Sequence, residues 1–261
     1  MSIPFEKYQG TGNDFVLIDD REKRFPLQDL ALVQRICDRR FGVGSDGLML
    51  IRQSADHHFE MIFFNPDGSK SLCGNGSRCA VLFAERLGIT DPSGVGTFIT
   101  TDGVHQYRIA EPGRVAISMH DVFEMRNVLG HPFVHTGSPH LIATVPDVNS
   151  VEVLTQGAAL RYHHYFAEGG GTNVNFVSQL SPNTWSVRTY ERGVEGETLS
   201  CGTGVTAVAI AMGSHTDGLQ THELHTRGGI LRVSYVKQGN HYSHIWLEGP
   251  AEHVFRGSID A

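Results

Sequence analysis

"SLCGNGSRCA" runs from Ser71 to Ala80, and "LSCGTGVTAV" runs from Leu199 to Val208. Each sets a cysteine before Gly-x-Gly and before the first turn of a helix. After Cys73, "GNGSRCAVLFAERLG" carries Ala80, Val81, Phe83, Ala84 and Leu87 and stops at Gly88, as helices often do. After Cys201, "GTGVTAVAIAMG" is apolar nearly all round, which predicts a fully buried helix. Both cysteines therefore stand at helix starts. Unpaired N–H groups and the positive end of the helix dipole favour a thiolate there and bind carboxylates. The neighbouring glycines let a ligand approach the backbone closely.

The rest of the chain repeats around these two turns. "TGNDFVLIDD" at Thr11 resembles "TGSPHLIATV" at Thr136, and a helical stretch follows each, Leu27 to Arg40 and Val151 to Arg161. "GVGSDGLMLI" at Gly42 and "GGGTNVNFVS" at Gly169 are glycine turns opening strands. "TTDG" near Thr100 and "HTRGG" near His225 each lead a run of alternating apolar residues. Gly12 lies 61 residues before Cys73, and Gly137 lies 64 before Cys201. With 30 glycines in the chain, single coincidences are expected; five ordered matches are not. The repeat predicts two α/β halves, 1–118 with Cys73 and 119–261 with Cys201, each a strand-rich sheet with helices. The chain crosses between them in "RVAISMHDVFEMRNVLGHP" and is free to cross back near the termini.

Composition narrows the function. The chain has 261 residues, 40% hydrophobic and 19% charged, as expected of a folded globular protein. The net charge of -7 and the lack of a basic patch argue against a nucleic-acid partner. No window has the length of a membrane span and "MSIPFEKYQG" lacks the apolar run of a signal peptide, so a cytoplasmic location is expected. The four cysteines, 37, 73, 79 and 201, then read as reduced thiols, and without paired C-x-x-C spacing no metal site is expected. "GVGSDG" matches G-x-G-x-x-G, but it follows a helix and precedes a strand, the reverse of a dinucleotide fingerprint. "HELH" at His222 has the wrong spacing for a zinc protease and falls on an expected strand.

Two matched thiols suggest inversion at a tetrahedral carbon. If the turns face one another across a cleft, one thiolate removes a proton from one face and the opposite thiol returns one to the other. The helix-end N–H groups would stabilise a carboxylate that gains enolate charge, and exclusion of water would strengthen them. No pyridoxal signature is evident, although a lysine Schiff base has no local motif by which to exclude it. A single cysteine at a helix start is more often a small core residue; the matched pair is what points to catalysis. Cys37 and Cys79 fall within helices and read as core thiols.

"QGTGNDFVLID", "FFNPDGSKSLCGNGSRC", "TGSPH", "GTNVNF" and "YERGVEGETLSCGTG" resemble, in order and over nearly the whole chain, the diaminopimelate epimerase family of cofactor-independent isomerases. The resemblance implies an α/β fold of α+β type, in two pseudo-symmetric domains. Each is a mostly antiparallel sheet wrapped around a central helix, with the active site in the cleft between them. It implies interconversion of LL- and meso-diaminopimelate, with Cys73 and Cys201 as the acid–base pair and His140 and Glu191 adjusting thiol protonation. By the same matching Asn13, Asn65, Asn173 and Arg192 hold the substrate, Gly74, Asn75, Gly202 and Thr203 bind it through helix-end amides, and Glu191 accepts from an ammonium group. A guanidinium fork suits the far carboxylate. Family members are often dimers, so a homodimer is implied. Gly47 stands where many members carry glutamine, and Ser138 where many carry asparagine. The alternatives are another cofactor-free racemase of the same architecture, such as a proline racemase relative, and a cysteine hydrolase or acyltransferase using Cys201 with His140. A binding protein that keeps the cleft without turnover is the remaining one.

Overall fold

The computed structural model describes residues 2–71, 73–213 and 216–260. Contacts divide the chain into two units, Met1–Ile117 with Gly249–Ala261, and Ser118–Glu248. Residues 249–261 group with the first unit, where the last strand pairs with the first.

The first unit is built on four neighbouring strands. β1 (Ser2–Gly10) pairs antiparallel with β2 (Asn13–Asp19), and α1 (Leu30–Cys37) follows. β3 (Gly47–Arg52) runs parallel to β2, and β4 (Phe59–Phe64) antiparallel to β3. α2 (Gly74–Arg86) comes next, then the hairpin of β5 (Val95–Thr100) and β6 (Gly103–Glu111), with β7 (Arg114–Ser118) beside β6. α1 is shorter than the stretch 27–40 read from the sequence. Asp29 caps its start by accepting from the Leu32 N–H at 3.0 Å, and Asp38 turns extended at its end and accepts from the N–H groups of Arg40 and Phe41. The strands are continuous apolar runs because both faces are covered. Val16, Ile18, Leu48 and Leu50 pack with Val33 and Ile36 of α1. The alternate residues point the other way, and Met49 meets α2 at Gly76.

The second unit repeats the plan. β8 (Met125–Val128) pairs with β9 (His131–His135), and β9 pairs antiparallel with β10 (Pro139–Thr144). Across α3 (Val153–Arg161) the chain reaches β11 (Asn173–Ser181), parallel to β10, and β12 (Thr184–Glu191), antiparallel to β11. A short β13 (Gly196–Thr198) precedes α4 (Gly202–Met212). β14 (Gly218–Thr226), β15 (Gly229–Gln238) and β16 (His241–Pro250) form a meander, and His222 lies within β14 as its pattern predicts. β17 (Glu252–Asp260) returns to pair with β1 in the first unit. Thus β2-α1-β3-β4-α2 and β10-α3-β11-β12-α4 share order and strand sense, the mixed α/β fold expected.

Register fixes which residues share a face. His140 pairs with Asn173 and Ile142 with Asn175, while Leu141 pairs with Val174 and Ala143 with Phe176. Ala143, Val174 and Phe176 pack with Val153 of α3. Period-two alternation therefore turns His140, Asn173 and Asn175 to the face that α4 covers. α4 buries Val205 to Ile210 without interruption, as its composition predicts.

Gly157 tests the close seat of α3. A Cβ there would lie 2.5 Å from Tyr190 Cβ. Gly→Ala inside a helix ordinarily stabilises by about 1 kcal/mol. Here overpacking reverses the sign, and Gly157→Ala should destabilise by roughly 1–3 kcal/mol in urea titration. An unchanged or raised midpoint would show that α3 is not seated this tightly.

Candidate active site

In the first unit, Cys73 is the residue capping α2, with φ −128° and ψ 110°, and its Sγ accepts from the Gly76 N–H at 3.4 Å. Gly74 and Asn75 form the first turn. The Asn75 amide donates to Asn13 Oδ1 at 2.6 Å, and the Asn13 amide donates to Asp46 Oδ2 at 3.0 Å. Asp46 is in turn held by Arg39 at 2.7 Å. The structure thus joins Asn13 and Asn75, and adds Asp46, which motif reading missed. Its signal lay inside "GVGSDG". That loop caps α1, with the N–H groups of Val43 and Gly44 on the Ile36 carbonyl and that of Ser45 on Cys37. Its glycines serve a helix end rather than a nucleotide.

Asn65 is tied to its own turn. Its amide donates to Ser69 Oγ at 2.9 Å and Ser71 Oγ at 3.1 Å. Gly47 lies on the α2-facing side of β3, where a Cβ would sit 2.3 Å from the Phe63 ring. The aromatic ring fills the space a larger residue would need.

In the second unit, Cys201 caps α4 with φ −125° and ψ 112°, nearly the backbone of Cys73. Its Sγ lies 3.5 Å from Thr203 Oγ1, and His140 Nε2 lies 2.9 Å from the same hydroxyl. The other face of the ring determines the tautomer. The Asn175 amide donates to the Leu141 carbonyl at 3.3 Å, which orients its NH2 toward His140 Nδ1 at 3.2 Å. Thr189 donates to Asn175 Oδ1 at 2.9 Å, consistent with that orientation. Nδ1 is therefore an acceptor and Nε2 carries the proton. The donors run Asn175 to His140 to Thr203, leaving the Thr203 hydroxyl hydrogen for Cys201. His140 is completely buried; burial, then the nearby His135 and Arg192, bring its pKa down to about 3. It stays neutral at ordinary pH and acts as a hydrogen-bond donor. Asn175 is a second residue the motifs did not single out, although "GTNVNF" places it two residues from Asn173 on the same strand face.

Asn173 joins the remaining groups. Its amide donates to Ser138 Oγ and to the Pro139 carbonyl, both at 2.8 Å, and its Oδ1 accepts the Arg192 N–H at 2.9 Å. Ser138 thus serves as an acceptor at the position where an asparagine is common. Glu191 closes β12 and accepts from Thr198 Oγ1 at 2.8 Å. Arg192 lies just beyond the strand, in a turn, and β13 intervenes before Cys201. That turn is held by Glu195, which has φ 56°. Its carboxylate accepts from Arg161 at 2.8 Å, Tyr162 at 2.8 Å and the Gly193 N–H at 3.0 Å. Partial burial works against the charge, but Arg161, Gly193 and Tyr162 bring this carboxyl down to about 2. Arg161 also donates to the Gly170 carbonyl at 3.0 Å, which ties the glycine loop to the same anchor.

Cys37 and Cys79 are buried, and burial raises the pKa of both thiols. Both belong to the core. No helix among the described residues is long and apolar enough to cross a membrane.

The sequence profile of diaminopimelate epimerase matches residues 5–122 and 133–254. A diaminopimelate epimerase of Flavobacterium psychrophilum is 44% identical over 255 residues, covering 97% of this chain and 98% of that one. One from Aquifex aeolicus is 39% identical, covering 98% of each. Among solved structures, a Bacillus anthracis phenazine biosynthesis protein of the PhzF family aligns with TM-score 0.73 at 15% identity, covering all of both chains. A hydroxyproline epimerase from Agrobacterium vitis aligns with TM-score 0.71 at 12% identity, covering 99% of this chain and 91% of that one. These two likenesses establish the fold, and the profile and the two sequence relatives establish the kinship: the chain belongs to the diaminopimelate epimerase family.

Proposed function

We propose that this chain interconverts LL- and meso-2,6-diaminopimelate by proton transfer between two thiols and the α-carbon, without a cofactor. The observation that supports it most is the matched pair of caps: in each unit a cysteine precedes a buried helix with the same backbone angles, at the same place in the repeat.

The chemistry follows from that pairing. The thiolate of one cysteine takes the α-proton, and the electrons of the Cα–H bond pass into the α-carboxylate as enolate character. The thiol of the other cysteine gives its proton to the opposite face. The centre is inverted and the two sulfurs have exchanged protonation states, so the reverse reaction begins from the opposite pattern. N–H groups at Gly74, Asn75, Gly202 and Thr203 stabilise the growing charge on the carboxylate. Arg192 forks onto the far carboxylate, Asn65 and Asn173 line its site, and Asn13 and Glu191 accept from ammonium groups. His140 keeps the Thr203 hydroxyl aimed at Cys201. The homodimer implied by the resemblance and the cytoplasmic location expected from the sequence belong to the same reading, and sedimentation of the purified protein tests the first.

Incubation with LL-diaminopimelate in heavy water tests the mechanism. Wild type should incorporate deuterium at the α-carbon and invert it. Cys73→Ala and Cys201→Ala should each lose inversion by a factor of about 10² to 10⁴. Full activity in either variant would end the two-thiol reading, and turnover of proline but not diaminopimelate would select the racemase alternative.

Thr203→Val removes the hydroxyl between His140 and Cys201. Loss of a hydrogen bond to a charged group predicts a fall in kcat of roughly ten- to a hundredfold, with slower alkylation of Cys201 at neutral pH. An unchanged kcat would remove the His140–Thr203 chain from the mechanism.

Glu195→Gln loosens the turn that carries Glu191 and Arg192. Such a change weakens substrate and transition state alike, so KM should rise several-fold while kcat stays within about twofold. A fall in kcat at constant KM would place Glu195 in the chemical step instead.

A further inference from the structure

Arg78 has no part in the mechanism above, yet it is the largest completely buried side chain of the protein. It projects from the second turn of α2 and makes three hydrogen bonds. Nη2 donates to Thr11 Oγ1 at 3.0 Å, Nη1 to the Gly74 carbonyl at 3.3 Å and Nε to the Pro250 carbonyl at 3.4 Å. All three acceptors are neutral. Among the described residues no carboxylate pairs with it, whereas the buried Arg52 meets Asp20 at 2.7 Å. A buried cation held only by neutral oxygens is strongly unfavourable unless an anion lies close by.

The charged and titratable groups acting on Arg78 are few. Among the described residues they are the thiols of Cys79, on its own helix, and of Cys73, at that helix's cap, and the guanidinium of Arg114 from β7. Arg114 is of like sign. Cys79 is fully buried, which raises its pKa well above the ordinary thiol range and keeps it neutral. Burial lowers Arg78 itself to about 10, so it is charged at neutral pH. Among the described residues, the group left to carry the compensating negative charge is Cys73, at the cap of the same helix and next to Gly74, whose carbonyl Arg78 holds.

The other unit lacks this feature. Thr206 stands five residues after Cys201, as Arg78 stands five after Cys73, and its hydroxyl donates to the Gly202 carbonyl at 2.9 Å. Arg78 makes the equivalent bond to Gly74. The repeat therefore preserves the hydrogen bond to the first carbonyl of the helix and adds a positive charge in one half only.

We propose that Arg78 is a positioning residue whose buried guanidinium, behind the first turn of α2, holds Cys73 as a thiolate in the ligand-free protein and so makes the two matched thiols unequal. This inference rests on Cys73 being one of the acid–base thiols. The helix N–H groups and the guanidinium are all positive toward the sulfur, so a thiolate satisfies both at once. A thiol would leave the buried cation uncompensated.

The test is a pH titration of alkylation by iodoacetamide on the ligand-free full-length protein, resolved by peptide mass spectrometry. Cys73 in wild type should titrate at least one pH unit below Cys201 and below the ordinary thiol value of about 8.5. Arg78→Gln, which keeps donors but removes charge, should raise the Cys73 midpoint by one pH unit or more and leave Cys201 unmoved. Arg78→Lys should stay near wild type. A wild-type Cys73 titrating at or above about 8.5, or a folded Arg78→Gln protein with an unmoved midpoint, would overturn the proposal. If Arg78→Gln does not fold, the wild-type titration and Arg78→Lys still decide. These measurements do not involve turnover. Failure here leaves the epimerase reading standing, and full epimerisation by Cys73→Ala would remove that reading while leaving the titration intact.

Discussion

A thiol surrounded by apolar residues is a neutral, inert group, and the chemistry proposed for this protein needs a charged one. The structure's answer is the helix start. Cys73 and Cys201 each occupy the residue before a helix, where backbone N–H groups lack intrahelical partners; the Gly76 N–H reaches Cys73 at 3.4 Å, while Cys201 meets the Thr203 hydroxyl instead. Cys37 and Cys79 show the contrast. They have the same side chain buried inside the fold, and burial raises the pKa of both. In the proposed reaction, position on the helix separates the two acid–base thiols from these core residues.

That constraint explains why both helices are enclosed. A helix end is most effective electrostatically where water does not compete. α2 and α4 are buried almost throughout, and each lies across the face of a sheet whose other face carries α1 or α3. Double coverage is why the central strands are continuous apolar runs. It is also why polar residues on the helix-facing side, His140, Asn173 and Asn175, are so fully hydrogen-bonded. Each buried polar atom there needs a partner, and the partners they find connect the cap of α4 to the turn of Arg192.

The two halves have diverged in how they support their thiols. On one side a neutral relay of Asn175, His140 and Thr203 reaches Cys201. On the other a buried cation lies behind Cys73. In a reversible two-thiol reaction the sulfurs exchange states in every turnover, so the supports need not match. They need only keep each sulfur within reach of both states. His140, neutral because it is buried, supports Cys201 through hydrogen bonds alone and adds no fixed charge on that side.

Much of this was legible in the chain. The two Cys-Gly-x-Gly turns, the ordered glycine matches and the apolar character of "GTGVTAVAIAMG" determined the repeat, the helices after each cysteine and the family, because turn chemistry and periodicity are local properties of sequence. The ends of α1 were less legible, since Asp29 and Asp38 set them by side-chain bonds that compete with the apolar pattern. Asp46, Asn175 and Glu195 lie inside quoted motifs, but nothing local singled them out. Their importance lies in what they touch, and Asn13, His140 and Arg161 are brought to them only when strands pair in register and loops close. Arg78 is the clearest case: in sequence it is one more helical arginine, and only packing buries it completely, with neutral acceptors and no paired carboxylate among the described residues.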